Sequence, residues 1–356
     1  MKLTRKDFGI FFLALIAFLA AVVVSGLIPI RASSGHWALT SWFLNFAKRR
    51  SVATHSFGIH APPLDDPRLV LIGAGHFETG CRYCHGAPGE PLPDIAAGMT
   101  PHPPRLEERV PTYDDAELFT IVLHGIKFTG MPAWPAVSRE DEVWAMVSFL
   151  SRYPELRTEE YRALVDGAST GSPSAAPSVV RDVCARCHGA DGLGRSRAFP
   201  VLAGQSEPYL RASLDAYRTR QRASGIMEPI ASRLSDDEAD DAARWYAGLD
   251  GGLSAPVQTK DLEAEPGREI ASRGIPSRRI PICDACHGGS GFQQEASFPR
   301  LHGQSLDYLE SQLRLFAEGE RGGTRYASLM RVVASHHLSP DEIRAVAEYY
   351  AAHEAR

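Results

Sequence analysis

The chain has 356 residues, with 38 basic against 43 acidic side chains and a net charge of -5, so no basic excess exists to hold a nucleic-acid backbone. Hydrophobic residues make up 44% and charged residues 23%, a balance that excludes a disordered or collagen-like chain. Six cysteines at this length are too few for a disulfide-stapled scaffold.

The first predicted element is membrane-like. Gly9 to Ile28 runs twenty residues without a charge, and as a helix it is about 30 Å long, the thickness of a bilayer core. Lys2, Arg5 and Lys6 precede it and place the N-terminus in the cytoplasm, although Arg31, Lys48, Arg49 and Arg50 on the other flank weaken that signal. A cleaved signal peptide competes, but its apolar region is shorter, about 7–15 residues, and Ala32 and Ser34 offer only a weak cleavage site. Length favours an uncleaved anchor, with residues 1–34 as cytoplasmic tip and transmembrane helix. In 35–64, Trp37, Leu39, Trp42, Phe43, Leu44 and Phe46 alternate with polar residues. That segment suits either the headgroup interface or packing on the first domain.

Residues 166–178 and 251–262 have linker composition and divide the remainder into three units, 65–165, 179–250 and 263–356. Each unit carries C-x-x-C-H: Cys81, Cys84 and His85; Cys184, Cys187 and His188; Cys283, Cys286 and His287. This pattern marks covalent c-type haem attachment. Two thiols one turn apart add to the two vinyl groups of one haem, and the adjacent imidazole faces the iron. A redox dithiol or half a zinc site would also use C-x-x-C. Against both, every pair is followed by His and Gly (Gly86, Gly189, Gly288), and no cysteine is left over. Such attachment occurs on the exported side of a membrane. The expected location is therefore the bacterial inner membrane, with three haem c groups in the periplasm.

The second and third units align at an offset of 99 residues: Phe199, Pro200, Leu202, Gly204, Gln205, Ser206, Tyr209 and Leu210 match Phe298, Pro299, Leu301, Gly303, Gln304, Ser305, Tyr308 and Leu309. Further on, Leu234, Ser235 and Glu238 match Leu338, Ser339 and Glu342 at an offset of 104. Ser-x-x-Glu reads as a capping box opening a terminal helix, with Pro340 at the first helical position. Ser138 followed by Asp141 and Glu142 predicts the same start in the first unit. On these motifs, residues 175–356 resemble the tandem di-haem cytochromes c, and 65–165 resembles a single class I cytochrome c domain.

The resemblance implies an all-α fold: three class I cytochrome c domains in tandem after an N-terminal transmembrane helix. It implies a helix at each C-x-x-C-H, a terminal helix crossing the N-terminal one, and a pseudo-twofold interface between the second and third domains. The first domain is expected to be tethered by its linker and mobile. Electron-transfer haem of this class takes Met opposite His. Met131, Met227 and Met330 stand 46, 39 and 43 residues after their histidines, and the expectation places each in a loop shortly before the terminal helix. Met99 competes in the first domain, whereas Met146 reads as core. His124, His302, His336 and His337 read as ordinary histidines, because a second imidazole is needed only where methionine is missing. Gly204 and Gly303 are expected to mark close backbone approach to the porphyrin, and Tyr209 and Tyr308 are candidates to bond its propionates. No catalytic residue emerges. The implied function is single-electron transfer between respiratory partners: an oxidase, a quinol-oxidising complex or a dehydrogenase. A cytochrome subunit of a terminal oxidase or periplasmic dehydrogenase is the alternative, and a di-haem peroxidase would need one open iron.

Overall fold

The computed structural model describes residues 5–28, 30–166, 175–250, 265–287 and 295–352. Lys2, Gly288, most of both linkers and the side chains of His336 and His337 lie outside the described residues. Every regular element among them is helical, and β pairing is limited to two isolated bridges, Arg222 with Arg321 and Ile275 with Ile280. The all-α expectation holds.

The apolar run forms the helix Arg5–Val24, none of whose residues is buried, and among the described residues it alone is long and apolar enough to cross a membrane. The helix Ala38–His55 fits the packing expectation for its segment. Val52 and the following Ser56 are buried, and the helix packs on Asp115–His124 of the first domain. Trp37, Trp42, Phe43 and Phe46, at its other end, remain exposed.

One plan is repeated three times. In the first domain Asp66 caps the helix Pro67–His76 through the Arg68 N–H, with Pro67 preset at the first helical position. The helix widens into a π turn, Phe77–Cys81, and closes as Arg82–His85. The second domain has the same π turn at Val180–Cys184, leading into Ala185–His188. Such one-turn widenings concentrate at functional sites. The terminal helix Glu140–Arg152 packs across Pro67–His76, and Pro340–Ala351 does so across Glu265–Arg273. A glycine sits at each crossing. A methyl group on Gly73 would overlap the Ala145 carbonyl, and one on Gly267 the Ala345 carbonyl.

Tyrosines in the terminal helices, or just beyond the helix in the first domain, then fasten the C-x-x-C-H turns. Tyr246 donates its hydroxyl to the Gly189 carbonyl at 2.9 Å, Tyr153 to that of Gly86 at 3.4 Å, and Tyr350 to Asp284 Oδ1 at 2.7 Å. In the first domain Phe77, Phe149, Tyr153 and Tyr161 pack around this point as one ring cluster.

One expectation is corrected. Ser235 with Glu238 and Ser339 with Glu342 form complete capping boxes, but the first domain does not follow. Its terminal helix is capped at Arg139 without any side-chain bond. Ser138 instead donates to Glu320 of the third domain at 2.8 Å, because these groups serve contacts between domains. Gly204 and Gly303 take φ of +74° and +85°, the left-handed region that disfavours any Cβ, so their turns themselves call for glycine. Their N–H groups donate to the Tyr246 and Tyr350 carbonyls at 3.1 and 3.0 Å.

The second and third domains meet with twofold symmetry. Gln205 Nε2 donates to the Arg300 carbonyl while Arg300 N–H donates to Gln205 Oε1 (3.1 and 2.9 Å). Gln304 repeats the exchange with Val201 at 3.0 and 2.9 Å. The first domain contacts both others: Glu78 pairs with Arg186 at 3.2 Å, Arg139 donates to the Ala223 carbonyl at 2.8 Å, and Arg68 pairs with Asp307.

Candidate haem sites

All six thiols are free and partly buried. Burial pushes Cys81 and Cys184 up to about 12 and Cys187 and Cys283 up to about 11. A redox dithiol requires a depressed thiol. These four thiols are shifted in the opposite direction.

The three histidines share a clamp that the motif does not reveal. Nδ1 of His85 faces the Pro104 carbonyl at 3.4 Å, that of His188 the Pro200 carbonyl at 3.2 Å, and that of His287 the Pro299 carbonyl at 2.9 Å. A carbonyl only accepts, which assigns the proton to Nδ1 and leaves the Nε2 lone pair for a metal. Burial also lowers all three imidazoles below their ordinary range, keeping them neutral as ligands must be. Phe199 and Phe298 stand edge-on to His188 and His287 at 6.4 and 6.2 Å, so the two repeats superpose in detail.

In the third domain, where it meets the second, one largely apolar cavity brings together Cys283, Cys286, His287 and Met330. These are two attachment thiols, an imidazole and a thioether, the donor set a c-type haem needs. Met330 lies within the helix Ala327–His337 and Met227 opens the helix Met227–Arg233, so neither sits in the expected loop. Met131 does. Its N–H donates to Thr129 Oγ1 at 3.1 Å and its carbonyl accepts from Ile126 at 3.1 Å. The Met99 methyl abuts Gly130, immediately before Met131. Met146 is core, at 1% exposure. His124 is exposed, and His302 is buried edge-on to Tyr350 at 4.8 Å.

Two arginines escaped the sequence reading. Arg222 and Arg321 are buried at the interface of the second and third domains. Arg222 donates to Tyr308 Oη and Gln312 Oε1, both at 2.8 Å, and Arg321 donates to Tyr209 Oη at 2.7 Å. Among the described residues neither forms an ion pair with a carboxylate, and a buried cation calls for an anion. Burial alone would raise Tyr209, but Arg321 and Arg222 bring it down to about 8. The signal was available, since the two arginines are also 99 residues apart.

Residues 69–150 match the family described as cytochrome c oxidase, cbb3-type, subunit III, and residues 175–249 match cytochrome c. The chain is 40% identical over 169 residues to the thiosulfate dehydrogenase electron acceptor of Stutzerimonas stutzeri (strain A1501), covering 47% of this chain and 77% of that protein. The chain belongs to the multi-haem c-type cytochromes. The cytochrome is also 34% identical over 181 residues to cytochrome c4 of Thiocapsa roseopersicina, covering 50% of this chain and 91% of that protein. Among solved structures, reduced recombinant cytochrome c4 from Pseudomonas stutzeri aligns at 28% identity with a TM-score of 0.43, covering 52% of this chain and 97% of that one. As a member of this family the cytochrome is an electron carrier rather than an enzyme, with haem c at its Cys pairs.

Proposed function

We propose that the cytochrome is a membrane-tethered carrier with three haems, taking single electrons from a dehydrogenase on the periplasmic face of the bacterial inner membrane. The observation that carries this reading is the third-domain cavity, where His287 and Met330 line one apolar space with both attachment thiols. The proline-clamped histidine recurs in the other two domains, which supports three such sites. When bound, haem supplies a reversible one-electron iron couple, and the chain sets its properties. His85, His188 and His287 present neutral Nε2 atoms, and Met131, Met227 and Met330 are assigned as the opposite ligands, raising the potential relative to a second imidazole. Arg222 and Arg321 are assigned to neutralise propionates at the buried interface, with Tyr308 and Tyr209 as their hydrogen-bond partners.

The Arg5–Val24 helix supports the tether, and the exposed Trp37 and Trp42 suit the headgroup layer beside it. The dehydrogenase reading follows the relative named as a thiosulfate dehydrogenase electron acceptor. The match of residues 69–150 to an oxidase subunit family favours a second reading, a subunit of a terminal oxidase.

The test is haem stoichiometry and ligand exchange on the full chain. Three haem masses should be added covalently, and Cys184→Ala with Cys187→Ala should remove one. With both axial positions filled by protein, the reduced cytochrome should take up carbon monoxide slowly, after a ligand leaves. Rapid stoichiometric uptake at one iron would overturn the carrier assignment. Purification from native membranes with a dehydrogenase, rather than an oxidase, separates the two partner readings.

A further inference from the structure

The terminal helix of the first domain delivers one carboxylate into the second. Glu142 is 7% exposed and accepts from Ser224 Oγ at 2.6 Å, from the Gly225 N–H at 2.6 Å and from Trp134 Nε1 at 3.4 Å. It also pairs with Arg139 at 3.0 Å. An ionised carboxylate is acceptor-only, with about four lone-pair directions, so this donor set fills it. Two of the donors are consecutive residues of the second domain.

Those two residues lead directly into a ligand candidate. Ser224 Oγ gives its proton to Glu142 and receives the Ile226 and Met227 N–H groups at 3.3 and 3.0 Å. One hydroxyl therefore joins the first domain's carboxylate to the backbone of Met227, using its single donor and both lone pairs. The segment also has no slack on its other side, because a methyl on Gly225 would overlap the Trp134 indole. Glu142 occupies the third helical position, where its counterparts Glu238 and Glu342 close capping boxes. Its own helix forgoes that bond.

We propose that Glu142 is a positioning residue for the iron of the second domain: by fixing Ser224 and Gly225 it sets the register of Met227, so that coordination in the second domain depends on docking of the first. This rests on the reading of Met227 as the sixth ligand. The coupling runs between domains, and undocking of the first domain releases the Met227 segment of the second.

The test uses the full holo-chain and the weak red thioether–iron charge-transfer band of the ferric protein, with potentiometry alongside. Glu142→Ala carrying three haems should lose about a third of the band and lower one redox step, as Met227→Ala does, since thioether ligation raises the potential. Combined with Met227→Ala it should add nothing further, and combined with Met131→Ala the losses should add. Ser224→Ala removes one hydroxyl and should reproduce the effect if Glu142→Ala fails to mature. An intact band in mature Glu142→Ala, or in Ser224→Ala where Glu142→Ala does not mature, would overturn the proposal. So would a loss that is non-additive with Met131→Ala, which would make Glu142 a structural part of its own domain only. An intact band in Met227→Ala would remove the ligand assignment itself, and the proposal with it.

Discussion

Neighbouring residues carry very different amounts of information in this chain. Cys81, Cys84 and His85 are legible because attachment chemistry requires them within one helical turn, so sequence spacing is spatial spacing. The opposite ligand has no such rule. In the first domain Met131 and Met99 converge on the same backbone, with the Met99 methyl against Gly130. Met131→Ala should therefore remove about a third of the thioether band and lower one potential, while Met99→Ala should leave band and potentials unchanged. Spectra and potentiometry of the two variants decide between them. Arg222 and Arg321 show a repeat spacing, but their role is hidden because their phenolic partners are 86 and 112 residues away, across an interface between domains.

At the scale of elements, periodicity and capping residues anticipate most helices, and they fail where a polar group is used between domains. Ser138 and Glu142 have the composition of a helix start, but the structure spends both on other domains. No local rule contains that alternative. The helix crossings behave more simply. Gly73 permits contact between Pro67–His76 and Glu140–Arg152, so Gly73→Ala must push them apart. Overpacking of this kind costs about 1–3 kcal/mol, which should appear as a lowered Tm in thermal unfolding of the holo-protein. The N-terminal helix yields another check. If it is an anchor, the mature protein should keep residues 5–24, stay in the membrane fraction after alkaline washing, and show an unprocessed N-terminus by intact mass.

At the scale of the whole molecule, polar contacts join all three domains. The Gln205 and Gln304 exchanges hold one interface, and the segment from Ser138 to Glu142 reaches both other domains. Gln304→Ala leaves the Val201 N–H and carbonyl without their partner. That should cost about 1–3 kcal/mol, measured as a lower denaturant midpoint, and Gln205→Ala should cost a similar amount.

The symmetry of that interface has an ancestral consequence. A contact in which the same patch meets itself about a twofold axis is what a homodimer of single domains would make. Joining two such copies end to end preserves every bond and removes the concentration dependence of pairing. Each glutamine bonds its partner's main chain, so a valine at 201 and an arginine at 300 sit at equivalent places with both exchanges kept, and Arg300 adds a bond to the Gly204 carbonyl at 2.6 Å. Two halves with different surfaces thereby keep one way of fitting together.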